Sequence, residues 1–334
     1  MRSSLTLLFP VLVGALIANA AVAQVSGVPI ATDVMPAPPR IAFKDISQDA
    51  GVVAFTRSNT DHSGGVAWID YNGDFWPDIF LSNGLGYDHW LFRNNGDGTF
   101  SDVSSIVAKP NVSLESCASH FGDFDNDGDS DLLVIVDSPI PGSYPFGGPN
   151  LLYINNGDGT FTEDGLSRGV IDALGRRNDS AALADFDRDG DLDIFIGVRI
   201  ALLFPLNHFD WYARNEGGAI FSDATAGTGL AGQGRNAQVA LPFDANLDGW
   251  MDIFVGNAGE QSAGYSRSDS FEHIYLNDTT GTAFADMIGT STSIGNDASA
   301  AMGSDIGDVD NDGDWDLYMT DIPNEGAAPL GNVL

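Results

Sequence analysis

The chain has almost nothing with which to brace itself covalently. One cysteine, Cys117, occurs in 334 residues, which excludes an intramolecular disulfide. Cations are also scarce: 14 Lys and Arg stand against 47 Asp and Glu, for a formal net charge of −33. Nucleic acid is therefore a poor partner, because phosphate contacts need clustered Lys and Arg, and an anionic membrane surface is no better. No apolar run after residue 23 approaches the length of a membrane span. Signatures of a nucleophile elbow, a zinc protease or a phosphate loop are missing. The remaining acid–base candidates are His62, His89, His120, His208, His273 and Glu115. The histidines read as strand side chains satisfied by their neighbours, with His120 set apart by lying three residues before Asp123.

What is present is glycine, at 40 residues, and a 43 % hydrophobic content. That combination suits a turn-rich all-β chain rather than a disordered one. Residues 1–23 read as a secretory signal: Arg2 supplies the charged start, Leu5 to Ile17 the short apolar run, and Ala21-Val22-Ala23 the small-residue cleavage site. Residues 24–40 read as a Pro-rich flexible leader and 41–334 as the folded domain. The expected location is secreted or periplasmic. With no disulfide available there, metal is expected to staple the fold.

The metal expectation comes from a nine-residue loop that occurs five times. Its members are Asp70, Asn72, Asp74 and Asp78; Asp123, Asp125, Asp127 and Asp131; Asp185, Asp187, Asp189 and Asp193; Asp244, Asn246, Asp248 and Asp252; and Asp308, Asp310, Asp312 and Asp316. Oxygen side chains stand at positions 1, 3, 5 and 9, as in a compressed EF-hand loop. Position 7 (Trp76, Asp129, Asp191, Trp250, Asp314) is expected to offer its backbone carbonyl, which leaves its side chain free to vary. Hard oxygen ligands favour Ca²⁺ over zinc or a redox metal, so up to five Ca²⁺ are expected. An ordinary Asp-Gly turn needs one or two such residues, not four at fixed spacing. Eighteen aspartates at these positions repel one another without a counter-ion, so metal binding and folding are expected to be coupled. Loops 1 and 4 carry one Asn each and are expected to bind more weakly. Loop 1 also has Phe75 where the others have Gly.

First aspartates are 53, 62, 59 and 64 residues apart. Within each period the sequence predicts four short strands, A to D. The acidic loop joins A to B, and a Gly-rich turn such as Asn95-Gly96-Asp97-Gly98 or Asn156-Gly157-Asp158-Gly159 joins C to D. Phe43, Phe100, Phe161, Phe221 and Phe284 mark the D strands and are expected in the core. Four-stranded units repeating radially make a β-propeller. Alternation places the acidic loops and C–D turns on one face, and the length-variable B–C segments, candidate ligand loops, on the other. Five A–B units but four C strands are legible. A seven-bladed ring at this period needs more than about 400 residues, so the ring is expected to be incomplete.

The Asp-x-Asp/Asn-x-Asp-Gly-x-x-Asp loops, together with hairpins such as Leu152-Tyr153-Ile154-Asn155-Asn156-Gly157-Asp158-Gly159-Thr160-Phe161, resemble FG-GAP/VCBS repeats, the repeats of the integrin α-subunit propeller. The acidic exported setting resembles the bacterial relatives of cartilage acidic protein, of ASPIC/UnbV type, with the C-terminal domain of that type expected to be absent. The resemblance implies a seven-bladed propeller, Ca²⁺ at each loop, and adhesion or binding of an extracellular protein or carbohydrate ligand. The alternative is a carbohydrate-active enzyme, a polysaccharide lyase or glycosidase, on the same propeller. No catalytic motif supports it, and the clustered aspartates are already required by the metal.

Overall fold

A computed structural model describes residues 43–54, 64–84, 87–110, 114–137, 150–170, 177–199, 210–230, 237–257, 272–287 and 300–322. The expected signal segment 1–23, the leader 24–40, most of the B–C segments, His62, His208 and the chain end lie outside the described residues.

The described residues are nearly all-β, in antiparallel four-stranded sheets that form the blades of a β-propeller. Blade 1 comprises β1 (Val66–Ile69), β2 (Asp78–Leu81), β3 (Trp90–Asn94) and β4 (Phe100–Asp102). Blade 2 comprises β5 (Glu115–Gly122), β6 (Asp131–Asp137), β7 (Leu151–Asn155) and β8 (Phe161–Glu163). Blade 3 has β9 (Arg177–Ala184), β10 (Asp193–Arg199), β11 (Trp211–Asn215) and β12 (Phe221–Asp223). Blade 4 has β13 (Ala237–Phe243), β14 (Asp252–Asn257), β15 (His273–Asn277) and β16 (Phe284–Asp286). Strands β17 (Ala300–Gly307) and β18 (Asp316–Ile322) make a fifth A–B pair. Each blade pairs A-B-C-D in order; blades 2 and 3 are also bridged at Asp137 and Arg177.

The strand chemistry follows from position in the blade. In blades 1 to 4 the B strands are central and covered on both faces, so they read as unbroken apolar runs rather than alternating ones. All seven residues of β6 are buried. D strands form the outer edge and are three residues long, which limits the unpaired backbone offered to another chain. Each A strand lies against the A strand of the next blade. Four A strands bulge six residues before the first loop aspartate, where the registers skip Cys117, Asp179, Gln238 and Met302. Cys117 sits at the bulge of β5, with its Sγ 3.2 Å from the Asn178 carbonyl oxygen.

The core is the set of interfaces between blades. Phe124, Leu133, Ile135, Ile194 and Phe221 pack between blades 2 and 3, and Phe186, Phe195, Tyr212, Ile253 and Phe284 between blades 3 and 4. The D–A connections lock each blade to its successor. The Phe221 N–H donates to Arg168 O (2.7 Å) and the Phe284 N–H to Thr228 O (2.6 Å). The glycine next in sequence, Gly169 or Gly229, has positive φ, and a Cβ there would lie 2.3 or 2.4 Å from the Phe221 or Phe284 carbonyl oxygen. A side chain has no room at either position. Gly51 repeats this contact against Phe100.

One core expectation fails. Phe43 is in no strand and is 74 % exposed. A D strand needs a C strand to pair with, and Phe43 has none among the described residues.

Candidate metal-binding loops

The five acidic loops share one backbone. Position 4 is left-handed in all of them (Gly73, Asn126, Arg188, Leu247 and Asn311, φ between 58° and 71°), and so is position 6 (Phe75, Gly128, Gly190, Gly249 and Gly313, φ between 67° and 99°). These two reversals curl the chain around the first aspartate. Its Oδ1 accepts from the position 5 N–H at 3.0–3.1 Å, and its Oδ2 from the position 6 N–H at 2.7–3.1 Å, in every loop. The position 5 carboxylate accepts from the position 7 N–H at 2.8–3.2 Å. Phe75 takes the glycine conformation despite its Cβ, with φ of 67° and the ring 92 % exposed.

This curl brings carboxylates together. Ligand atoms of Asp123, Asp125 and Asp127 lie within 4.8 Å of one another, as do those of Asp185, Asp187 and Asp189, and of Asp308, Asp310 and Asp316. In loops 1 and 4 the Asn turns its amide onto the neighbouring carboxylate instead: Asn72 Nδ2 donates to Asp74 and Asn246 Nδ2 to Asp248, both at 3.0 Å. Burial and the adjacent Asp127 raise the pKa of Asp125; burial and Asp189 do the same for Asp187. The donor set is entirely hard oxygen, of the kind that holds Ca²⁺ or Mg²⁺.

Position 9 has a second role that the spacing did not reveal. Asp78, Asp131, Asp193 and Asp252 are fully buried. Each Oδ2 accepts from the position 2 N–H of its own loop (2.9–3.3 Å). Each Oδ1 accepts from the N–H of an asparagine that ends strand C: Asn94, Asn155, Asn215 or Asn277 (2.6–2.8 Å). Burial pushes Asp78 and Asp131 up to about 6 and Asp193 up to about 7, against these backbone donors and, at Asp193, the Tyr212 hydroxyl. The ninth residue therefore anchors the loop to the blade.

The strand C asparagines are the functional residues that sequence reasoning missed. Their signal is present, an Asn ending the third strand of each blade just before the turn, but their partners are remote. Asn155 Nδ2 donates to the Tyr71 carbonyl of the preceding blade's loop, Asn215 to Phe124 O and Asn277 to Phe186 O, each at 2.8 Å. These carbonyls belong to loop position 2, whose side chain enters the blade interface. Tyr71 meets Phe161 (5.9 Å between centroids), Phe124 meets Phe221 (5.9 Å) and Phe186 meets Phe284 (6.0 Å). Neighbouring loops also touch. Asn126 Nδ2 donates to Asp191 Oδ1 at 2.5 Å, and the Arg188 guanidinium lies 4.6 Å from the centroid of the Trp250 ring. C–D turns share this face as expected: Gly96 packs against Trp76, and Gly157 against Asp129.

Of the described acid–base candidates, His89 and Glu115 are both buried and both within electrostatic reach of the buried Lys109. His273 Nδ1 lies 3.0 Å from both carboxylate oxygens of Asp286, a partner of the kind expected of a strand histidine. The other two depart from that reading. Both ring nitrogens of His89 and Nε2 of His120 lack a hydrogen-bond partner among the described residues. Burial, aided at His89 by Lys109, depresses both pKa values, to about 4 at His120. His89 is thereby accommodated as a neutral ring between Phe80 and Tyr153.

Within this run of four-stranded blades, each with an acidic A–B loop, residues 70–134 and 142–196, which hold loops 1 to 3, match FG-GAP-like repeats. Among curated relatives, cartilage acidic protein 1 of Homo sapiens is 26 % identical over 228 residues, covering 67 % of this chain and 31 % of the relative. Cartilage acidic protein 1 of Xenopus tropicalis is 50 % identical over 191 residues, 56 % of this chain and 27 % of the relative. The chain spans about a third of the length of the curated relatives it matches. Among solved structures, an Agrocybe aegerita lectin recognising non-reducing terminal N-acetylglucosamine has a TM-score of 0.34 at 18 % identity, over 78 % of this chain and 75 % of that one. The V. cholerae biofilm matrix protein Bap1 has a TM-score of 0.40 at 17 % identity, over 79 % and 37 %. At these TM-scores neither bears on what this chain binds. No helix among the described residues is long and apolar enough to cross a membrane.

Proposed function

We propose that this chain is an exported, Ca²⁺-stabilised binding or adhesion module with an extracellular protein or carbohydrate ligand, and that it is not an enzyme. The observation that carries the reading is the convergence of carboxylate oxygens in three of five loops built on one backbone. In loop 3 the cation would be held by Asp185, Asp187 and Asp189, the carbonyl of Asp191 and the carboxylate of Asp193; the same positions would serve in the other four loops. When bound, Ca²⁺ neutralises the clustered charge and fixes the loop. The chain's own contribution is to pre-shape the cradle through the N–H donors that hold the first aspartate.

The signal-like segment 1–23 supports export. Exposed Phe75, Trp76, Leu247, Met251 and Trp315 in or beside the loops suit contact with a partner, since exposed large apolar groups mark interaction surfaces.

Thermal melts with chelator, Ca²⁺ and Mg²⁺ test the metal role. Chelator is expected to lower the melting temperature by several degrees or more, with Ca²⁺ restoring it better than Mg²⁺. An unchanged melt refutes it. Incubation with polysaccharides and matrix proteins tests the rest. Calcium-dependent retention without turnover is expected, whereas new reducing ends or unsaturated products would reverse the assignment to the enzyme class.

A further inference from the structure

We infer that the acidic loops bind divalent cations as a coupled set, and that Asn155, Asn215 and Asn277 are the positioning residues that couple them. The inference rests on the cation reading of the loops and adds the link between them.

The link is a hydrogen-bonded path that does not break between blades. In loop 3, Asp193 Oδ2 accepts from Phe186 N–H (3.2 Å), and the carbonyl of the same Phe186 accepts from Asn277 Nδ2 (2.8 Å). Asn277 gives its backbone N–H to Asp252 Oδ1 of loop 4 (2.7 Å), and its Nδ2 also reaches the Met251 carbonyl there (3.1 Å). One buried asparagine thus holds a loop 3 peptide and the loop 4 ninth carboxylate at once. Asn215 does the same for loops 2 and 3, through Phe124 O and Asp193 Oδ1. Asn155 does so for loops 1 and 2, through Tyr71 O and Asp131 Oδ1.

Each asparagine is also fixed from a third side. Its Oδ1 accepts from the turn glycine N–H: Gly157 (3.1 Å), Gly217 (3.1 Å) or Gly281 (3.0 Å). A Cβ at Gly281 would lie 2.3 Å from the Cα of Asp187 in loop 3, so the blade 4 turn sits directly on a candidate ligand of the preceding loop. Moving the position 2 peptide of one loop therefore displaces the asparagine, and through it the ninth carboxylate of the next. A cation that orders one loop places that peptide and leaves less to be ordered when the neighbour fills. The coupling is reciprocal.

Two tryptophans make the idea testable, because Trp76 and Trp250 occupy position 7 of loops 1 and 4 and can sensitise Tb³⁺ bound beside them. The full chain carrying Trp76→Phe and Trp315→Phe is titrated with Tb³⁺ and read through Trp250. The expected result is that Asp187→Ala in loop 3 weakens Tb³⁺ binding at loop 4 about fivefold, the low end of ordinary coupling between sites. In an Asn277→Ala background the same Asp187→Ala change is expected to have no further effect. If no sensitised emission develops in any variant, the cation reading itself fails. If emission develops but is indifferent to Asp187→Ala, the loops are independent and the coupling is wrong. If Asp187→Ala still acts in the Asn277→Ala background, the link runs elsewhere, for instance through Arg188 on Trp250, and the assignment to asparagine is overturned. Should Asn277→Ala fail to fold, Asn155→Ala tests the same device in a full chain that keeps Trp76 and carries Trp250→Phe and Trp315→Phe, with Asp125→Ala as the perturbation in loop 2 and Trp76 as the sensor in loop 1.

Discussion

Replacing Phe75 by glycine is expected to stabilise this protein. In the five loops position 6 has one backbone conformation, and four of them meet it with glycine; loop 1 meets it with Phe75 at φ of 67°. An L-residue in the left-handed region costs roughly 1–2 kcal/mol. Glycine removes that cost but gives the unfolded chain extra freedom, worth about 0.5–1 kcal/mol in the opposite direction. The ring is 92 % exposed, so little packing is lost. The Phe75 N–H bond to Asp70 Oδ2, at 2.7 Å, belongs to the backbone and survives the change. The net gain is about 0.5–1 kcal/mol, or roughly 1–4 °C in melting temperature for a chain of this size. Urea and thermal unfolding in excess Ca²⁺ read it directly. Phe75→Ala is the control: it removes the ring but keeps the Cβ, so it is expected to gain nothing. A Phe75→Gly protein that is less stable than the parent, or an alanine variant that matches the glycine one, refutes the argument from backbone strain.

Three other outcomes follow from the same geometry. Asp185→Ala removes the acceptor of the Gly190 N–H and one of the two acceptors of the Asp189 N–H; it is expected to cost about 1–3 kcal/mol and to remove one Ca²⁺ equivalent by titration calorimetry, and an unchanged stoichiometry would reject the ligand assignment. In chelator, stability is expected to fall as pH rises from about 4 to about 7: Asp78, Asp131 and Asp193 are pushed above the ordinary carboxylate range by burial, to about 6, 6 and 7, so their stabilising protons are fully held at the acid end and lost through those values. Excess Ca²⁺ is expected to flatten or reverse the trend, and equal chelated melts at about pH 4.5 and about pH 7.5 would contradict it. Phe186→Ala removes a fully buried ring set edge-on to Tyr212 and Phe284; a loss of about 3–5 kcal/mol in urea denaturation is expected, and a loss under about 1 kcal/mol would show that the interface does not depend on it.

The features legible in the sequence were those whose partners lie close along the chain. The acidic nonamers, the Asn-Gly-Asp-Gly turns and the apolar B strands all declare themselves within ten or so residues, and each appears where the periodicity put it. The blade interfaces do not declare themselves. Asn215 is 91 residues from the carbonyl it holds, and Asn155 is 84 from its own. The aromatic at position 2 of loops 1, 2 and 3 reads as a filler between two aspartates until the next blade's phenylalanine is in place. Position 4 illustrates a different limit. Asn126 and Asn311 tolerate a left-handed backbone locally, but Arg188 and Leu247 carry no such hint, and only the shared hydrogen bonds of the loop impose it. Phe43 shows the converse: its motif is that of a D strand, yet with no strand to pair with among the described residues it stays exposed.

The reach from each loop to its successor sets an order of events during synthesis. Tyr71 cannot find its asparagine until residue 155 has emerged, nor its aromatic partner until residue 161. At about 5–20 residues per second, each of loops 1 to 3 waits roughly 4–20 s, unfinished and strongly acidic, for the module behind it to be made. The chain therefore matures from its beginning towards its end, always one module in arrears. A translational pause placed just before a strand C asparagine would prolong the most vulnerable moment of the preceding loop.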